Sequence, residues 1–144
     1  MKTSLLVPLA FAAALFLSGC GHLDTTVTNG EDRVLNGVIS AVDAGAGTAL
    51  PAETEVLVRV LDLGRGFGRG EELGEQTIKG PVEFPVPFRI EYRADDATLR
   101  GSVEVEARIS VGGQLRYVTI TGHPITLGNV NQSHVVMVER ARNP

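Results

Sequence analysis

The stretch that most narrows the possible folds runs from Val103 to Thr119. Val103, Val105, Ala107, Ile109 and Val111 alternate with Glu104, Glu106, Arg108 and Ser110. That is the period of a strand with one face buried and the other wet. Gly112 and Gly113 follow, and both can take the positive φ values of a tight two-residue turn; Leu115, Tyr117 and Thr119 then carry a return strand. A chain with such a hairpin at its centre points to antiparallel β-structure.

The same period recurs elsewhere. Leu35, Gly37, Ile39 and Ala41 share one parity and predict a strand over residues 34–42. Val56, Val58 and Val60 predict a second strand ending at Asp62, and residues 73–79 resume extended character. Phe88, Ile90 and Tyr92 alternate in a fourth. Pro85 and Pro87 lack an N–H, so this strand should enter the sheet at an edge or with its first residues. Residues 94–101 read as a polar connection with Leu99 plugging the end of the core, and His123-Pro124 reads as a break. In the last strand, residues 133–139, Val135, Val136, Met137 and Val138 are all apolar, which implies burial on both faces or an interaction surface, burial being the commoner case. With no convincing helix and no Trp, the expectation is an all-β domain: an antiparallel β-sandwich or a partly open barrel of about seven short strands.

The N-terminus carries an address. Lys2 precedes an apolar run from Leu5 to Leu17, and the small residues Ser18 and Gly19 lead to Cys20. This is the layout of an export signal. The run is too short to span a bilayer core of roughly 30 Å as a helix, and Pro8 interrupts it. Cys20 is the single cysteine of 144 residues and sits at the cut site, so it is the expected lipid-attachment residue. One acyl chain holds a membrane only marginally and two or more hold it firmly. Gly21 stands where an Asp would signal retention at the inner membrane, which favours the outer membrane. The expected organisation is a signal peptide over residues 1–19, a lipidated N-terminus and flexible tether over 20–33, a β-sandwich domain over 34–140, and a frayed tail over 141–144.

Charge and motifs bound the chemistry. The formal net charge is −4, and loss of Lys2 with the signal makes the mature chain more acidic, which argues against a nucleic-acid surface. With its cysteine acylated the domain has no disulfide and must be held by packing. Residues 64–70, Gly-Arg-Gly-Phe-Gly-Arg-Gly, lack the third glycine of a phosphate-binding fingerprint and no helix follows. They read as a surface loop; the alternative is a partner-contact loop with Phe67 as its apolar tip between Arg65 and Arg69. His22 falls in the tether, His123 in the break and His134 at the start of the last strand, none in a catalytic or zinc-binding pattern. Asp95-Asp96 reads as a turn rather than a calcium loop. Glu106 and Arg116 can meet across the hairpin on a solvated face. No residue is assigned to catalysis, to a cofactor or to a metal, and the chain is not expected to be an enzyme.

An ordered set of pieces carries a resemblance. Leu50-Pro51, Val56-x-Val58-x-Val60-x-Asp62, Glu75-Gln76-Thr77-Ile78, Pro87-Phe88-x-Ile90, Ala107-Arg108-Ile109, Gly113-x-Leu115-x-Tyr117-x-Thr119 and Pro124-Ile125-Thr126 occur in this order. Together they resemble the YbaY-like lipoproteins, grouped with the type III secretion lipoprotein chaperones of the YscW type. The resemblance spans residues 35–138; the glycine-rich loop at 64–70 departs from it. It implies a small β-sandwich at the outer membrane, facing the periplasm. It also implies a pilotin role in which a secretin or other envelope protein is the client. The candidate mechanism is docking of a client segment by strand addition, at the edge near residues 85–92 or at the strand 135–138. The alternative is an envelope-maintenance lipoprotein binding a small molecule or glycan in a pocket.

Overall fold

The computed structural model describes residues 30–65 and 70–142. Eight strands are present: β1 (Glu31–Ala41), β2 (Thr54–Asp62), β3 (Glu71–Lys79), β4 (Val86–Ala94), β5 (Val103–Val111), β6 (Gln114–Val118), β7 (His123–Ile125) and β8 (Ser133–Arg140), with one short helix, α1 (Asp96–Leu99), between β4 and β5. They are joined in the order β3-β2-β5-β6-β8-β1-β4, with β7 beside β5. Of the two expected architectures, the partly open barrel is the one formed.

The period-two pattern sets which side chains line the interior. Leu35, Ile39, Val56, Val58, Val60, Ile90 and Ile109 all point inward and are fully buried. Each such side chain contributes about 1.5–3 kcal/mol relative to leaving it in water. Gly37 shares the inward parity of β1 because a larger residue has no room: a Cβ there would fall 2.4 Å from the His134 carbonyl oxygen and 2.7 Å from the Phe88 ring. The Gly112-Gly113 turn has φ values of 56° and 78°, as its two-residue length demands.

The barrel closes imperfectly at its two end strands. β3 and β4 touch near their middles, where a Cβ on Gly74 would fall 2.6 Å from the Glu91 carbonyl oxygen and 2.8 Å from the Tyr92 Cβ. The Gln76 Oε1 accepts a hydrogen bond from the Arg89 backbone N–H at 2.9 Å, so a side chain stands in for the missing ladder. The strands then diverge. Leu73 is an extra residue in β3, since Val60 pairs with Gly74 and Leu61 with Glu72; such a bulge bends its strand and re-aims side chains.

Several expectations are corrected. β1 and β8 run parallel, Asn36 opposite Ser133 through Ala41 opposite Val138, so one pairing in an otherwise antiparallel barrel joins the first strand to the last. His123-Pro124 is not a break: it opens β7, whose three residues pair with Val103–Val105 of β5. Pro124 is tolerated there because β7 has no ladder partner on its other side among the described residues. The 94–101 connection holds α1, capped by the Asp95 carboxylate, which accepts from the Thr98 N–H at 2.7 Å; Leu99 does plug the core. The apolar run of β8 is not buried on both faces. Val136 and Val138 are in the core, whereas Val135 is 51% and Met137 45% exposed.

Candidate functional site

One mouth of the barrel carries a groove of about 480 Å³. Its construction starts with the segment after β1. The Gly47 N–H donates to the Phe84 carbonyl at 2.8 Å, the Phe84 N–H to Thr48 at 3.0 Å, and the Leu50 N–H to Val82 at 2.8 Å. These bonds hold Leu50 and Phe84 side by side across two connections. Phe84 meets Tyr117 of β6 edge to face, with centroids 5.7 Å apart at 79°. Leu115, Arg116 and Arg140 complete the walls. The Arg140 guanidinium lies 5.8 Å from the Tyr117 ring centroid and pairs with Asp43; Asp43 keeps the arginine firmly cationic. Arg116 bonds Gln114 and has no carboxylate partner among the described residues. The groove thus has an apolar and aromatic floor, two cations and no lining carboxylate. Sequence reasoning missed it because its walls come from four separated segments and none carries a motif.

The opposite mouth has a cleft of about 560 Å³ where β3 and β4 diverge, lined by Arg33, Glu71, Glu72, Leu73, Tyr92 and Arg93 among others. Its charges are largely spent internally. Arg93 holds Asp32 at 2.6 Å, and the resulting bond keeps that carboxyl below its ordinary range. Arg33 bonds Asp96 at 2.9 Å, Glu31 at 3.0 Å and the Ala94 carbonyl at 2.7 Å. Asp95 and Asp96 are therefore a helix cap and an ion-pair partner. The Tyr92 hydroxyl is buried without a hydrogen-bond partner, and burial pushes its phenol above the ordinary value.

A third feature was invisible in the sequence. His123 of β7 and His134 of β8 meet inside the barrel, Nε2 to Nδ1 at 3.0 Å, with rings edge to face. His134 is 3% exposed, and its Nε2 makes no hydrogen bond. Burial first, and the neighbouring His123 second, lower its pKa; the Asn129 backbone offsets them only in part. The pair ties β7 to β8 across a flank that carries no ladder. No nucleophile completes it, and no cluster of three metal-ligating side chains is present among the described residues.

The expected contact regions fare differently. Glu106 bonds Arg59 of β2, with Arg108 at 3.8 Å, and does not meet Arg116. The edge near residues 85–92 is closed to strand addition at Arg89 by Gln76. β8 pairs with β1 on one flank and with β6 only at Glu139 and Arg140 on the other, and it shows Val135 and Met137 outward. Cys20, His22, Phe67 and Arg69 lie outside the described residues.

The described residues thus form a small partly open β-barrel with an aromatic, arginine-flanked groove at one mouth. A sequence profile identifies it further: the type III secretion system lipoprotein chaperone (YscW) family matches residues 34–138, and the chain belongs to that family. No curated protein sequence matches the chain. Its fold is similar to that of an alternative pilotin from the type II secretion system of Vibrio cholerae, with a TM-score of 0.64 at 20% identity over 78% of this chain and 100% of that one. At that identity the likeness is one of fold alone.

Proposed function

We propose that this chain is a non-enzymatic pilotin, an assembly chaperone that binds a secretin subunit in the cell envelope and brings it to the outer membrane. The observation that carries this reading is the family match, which runs from within β1 to within β8. The similarity in fold to a secretion-system pilotin supports it. Acyl chains on Cys20 supply the membrane address, and the barrel supplies recognition. The interior is filled by side chains from the strands, which counts against a small molecule or glycan held inside.

The test is an affinity pull-down from detergent-solubilised envelope with the tagged lipoprotein and a Cys20→Ala control. Recovery of the organism's secretin, with its outer-membrane assembly lost in the control, is the expected result. Failure to recover any secretin, with either form, overturns the reading.

A further inference from the structure

We infer that the groove between Leu50, Phe84, Leu115 and Tyr117 is the client-docking surface, and that it takes an acidic, amphipathic segment of the client through side-chain contacts rather than strand addition. This rests on the pilotin reading above and adds the place and the chemistry of recognition.

Three observations carry it. First, charge is distributed against the average. The chain as a whole is acidic, yet this groove has no lining carboxylate and presents Arg116 without a carboxylate partner among the described residues, beside Arg140, which is paired with Asp43. A shallower hollow beside it shares Arg140 and is lined as well by Arg142, Asp43 and Glu139, so it adds no net charge. Complementary potential selects partners and orients them, and a carboxylate-bearing segment fits this surface where a basic one is repelled. Second, apolar side chains gather at this end. Leu115 is exposed at the groove, Val82 stands beside Leu50 and Val42 lines the adjoining hollow, all three exposed. The aromatic floor is pre-set by the Phe84–Tyr117 contact and by Arg140 over Tyr117. Rigid aromatic and arginine anchors of this kind concentrate binding energy at interfaces. Third, the backbone here is already spoken for. The Ala141 N–H donates to the Arg116 carbonyl at 2.8 Å, and the loop bonds at Gly47, Leu50 and Phe84 use the groups on the other wall. An incoming segment therefore meets side chains, two arginines around an apolar floor.

The position on the barrel is consistent with such a role. β1 starts at the opposite mouth, and β1 is the strand that follows the tether to Cys20. The groove sits at the end of the barrel remote from Glu31, where β1 begins.

The experiment uses the full lipidated protein in detergent and the secretin of the same organism. Variants are Arg116→Glu, the double variant Arg116→Glu/Arg140→Glu and Leu115→Asp. Val135→Asp/Met137→Asp on the β8 face and Arg93→Glu at the other mouth serve as comparisons. The Arg116 side chain hydrogen-bonds Gln114 and no carboxylate among the described residues, so the single reversal is expected to leave the fold intact even where the double one does not. The double reversal should weaken binding on the order of tenfold and flatten its salt dependence, while the comparison variants stay near wild type. A photo-crosslinker at position 115 should map to a client segment containing Asp or Glu. Unchanged affinity in Arg116→Glu and Leu115→Asp, crosslinks to a neutral or basic segment, or loss confined to the β8-face variant overturns the groove assignment while leaving the pilotin reading in place. No binding of the secretin by wild type overturns both.

Discussion

Two buried polar side chains set testable costs. The Tyr92 hydroxyl is buried with no partner, and such a group forfeits its hydration without recompense. Tyr92→Phe removes only that oxygen from an otherwise packed ring. It should raise stability by about 1 kcal/mol, read as a higher urea midpoint at unchanged slope; a lowered midpoint would show that the hydroxyl is satisfied in solution. His134 sets the response to acid. Burial and His123 hold its pKa below the ordinary 6.5, so the unfolded chain binds more protons as pH drops below that value. The stability gained from the neutral ring is whole above pH 6.5 and is lost as pH falls through the folded-state pKa. Urea midpoints at about pH 7.5 and about pH 5 should fall further in wild type than in His134→Leu. Equal falls would mean that other groups dominate. The histidines also mark the limit of reading residues one by one. Each looked idle in the sequence, because nothing in a linear string shows that positions 123 and 134 face each other across a barrel.

Strand faces were legible and strand neighbours were not. Alternation placed Leu35, Ile39, Val56, Val58, Phe88, Ile90 and Ile109 inward, and all are buried. Parity is a local property, fixed by the pleat. Pairing is non-local, which is why the parallel contact of β1 with β8 and the short β7 could not be read from the chain. The four apolar residues at 135–138 misled for a related reason: composition cannot tell a strand buried on two faces from one that shows Val135 and Met137 outward. The groove was hidden too, being assembled from connections and not from a motif. One element-level prediction concerns the β3–β4 seam. Gly74→Ala puts a methyl group 2.6 Å from the Glu91 carbonyl oxygen, so the two strands must part. Overpacking of this kind costs typically about 1–3 kcal/mol. The Arg89 amide, held by Gln76, should exchange with deuterium faster in the variant than in wild type, while amides in β2 and β5 change less. Unchanged protection at Arg89 would mean that the seam has slack to absorb a methyl.

At the scale of the molecule, the strand order makes the barrel dependent on its last segment. β1 lies between β4 and β8, so removing residues from 133 onward strips one flank of β1, takes Val136 and Val138 from the core and unseats Arg140 from Tyr117. A chain ending at residue 132 should show no cooperative urea transition, whereas a sigmoidal transition like that of the parent would mean that seven strands suffice. The arrangement also sets an order of events. Pairings between distant parts of a sequence form slowly, because a long loop must close before they give any return. Here the strand made first waits for the strand made last. The parallel β1–β8 pairing acts as a latch on the described barrel: it can close only after residues 133–140 have been made, with every other strand already present.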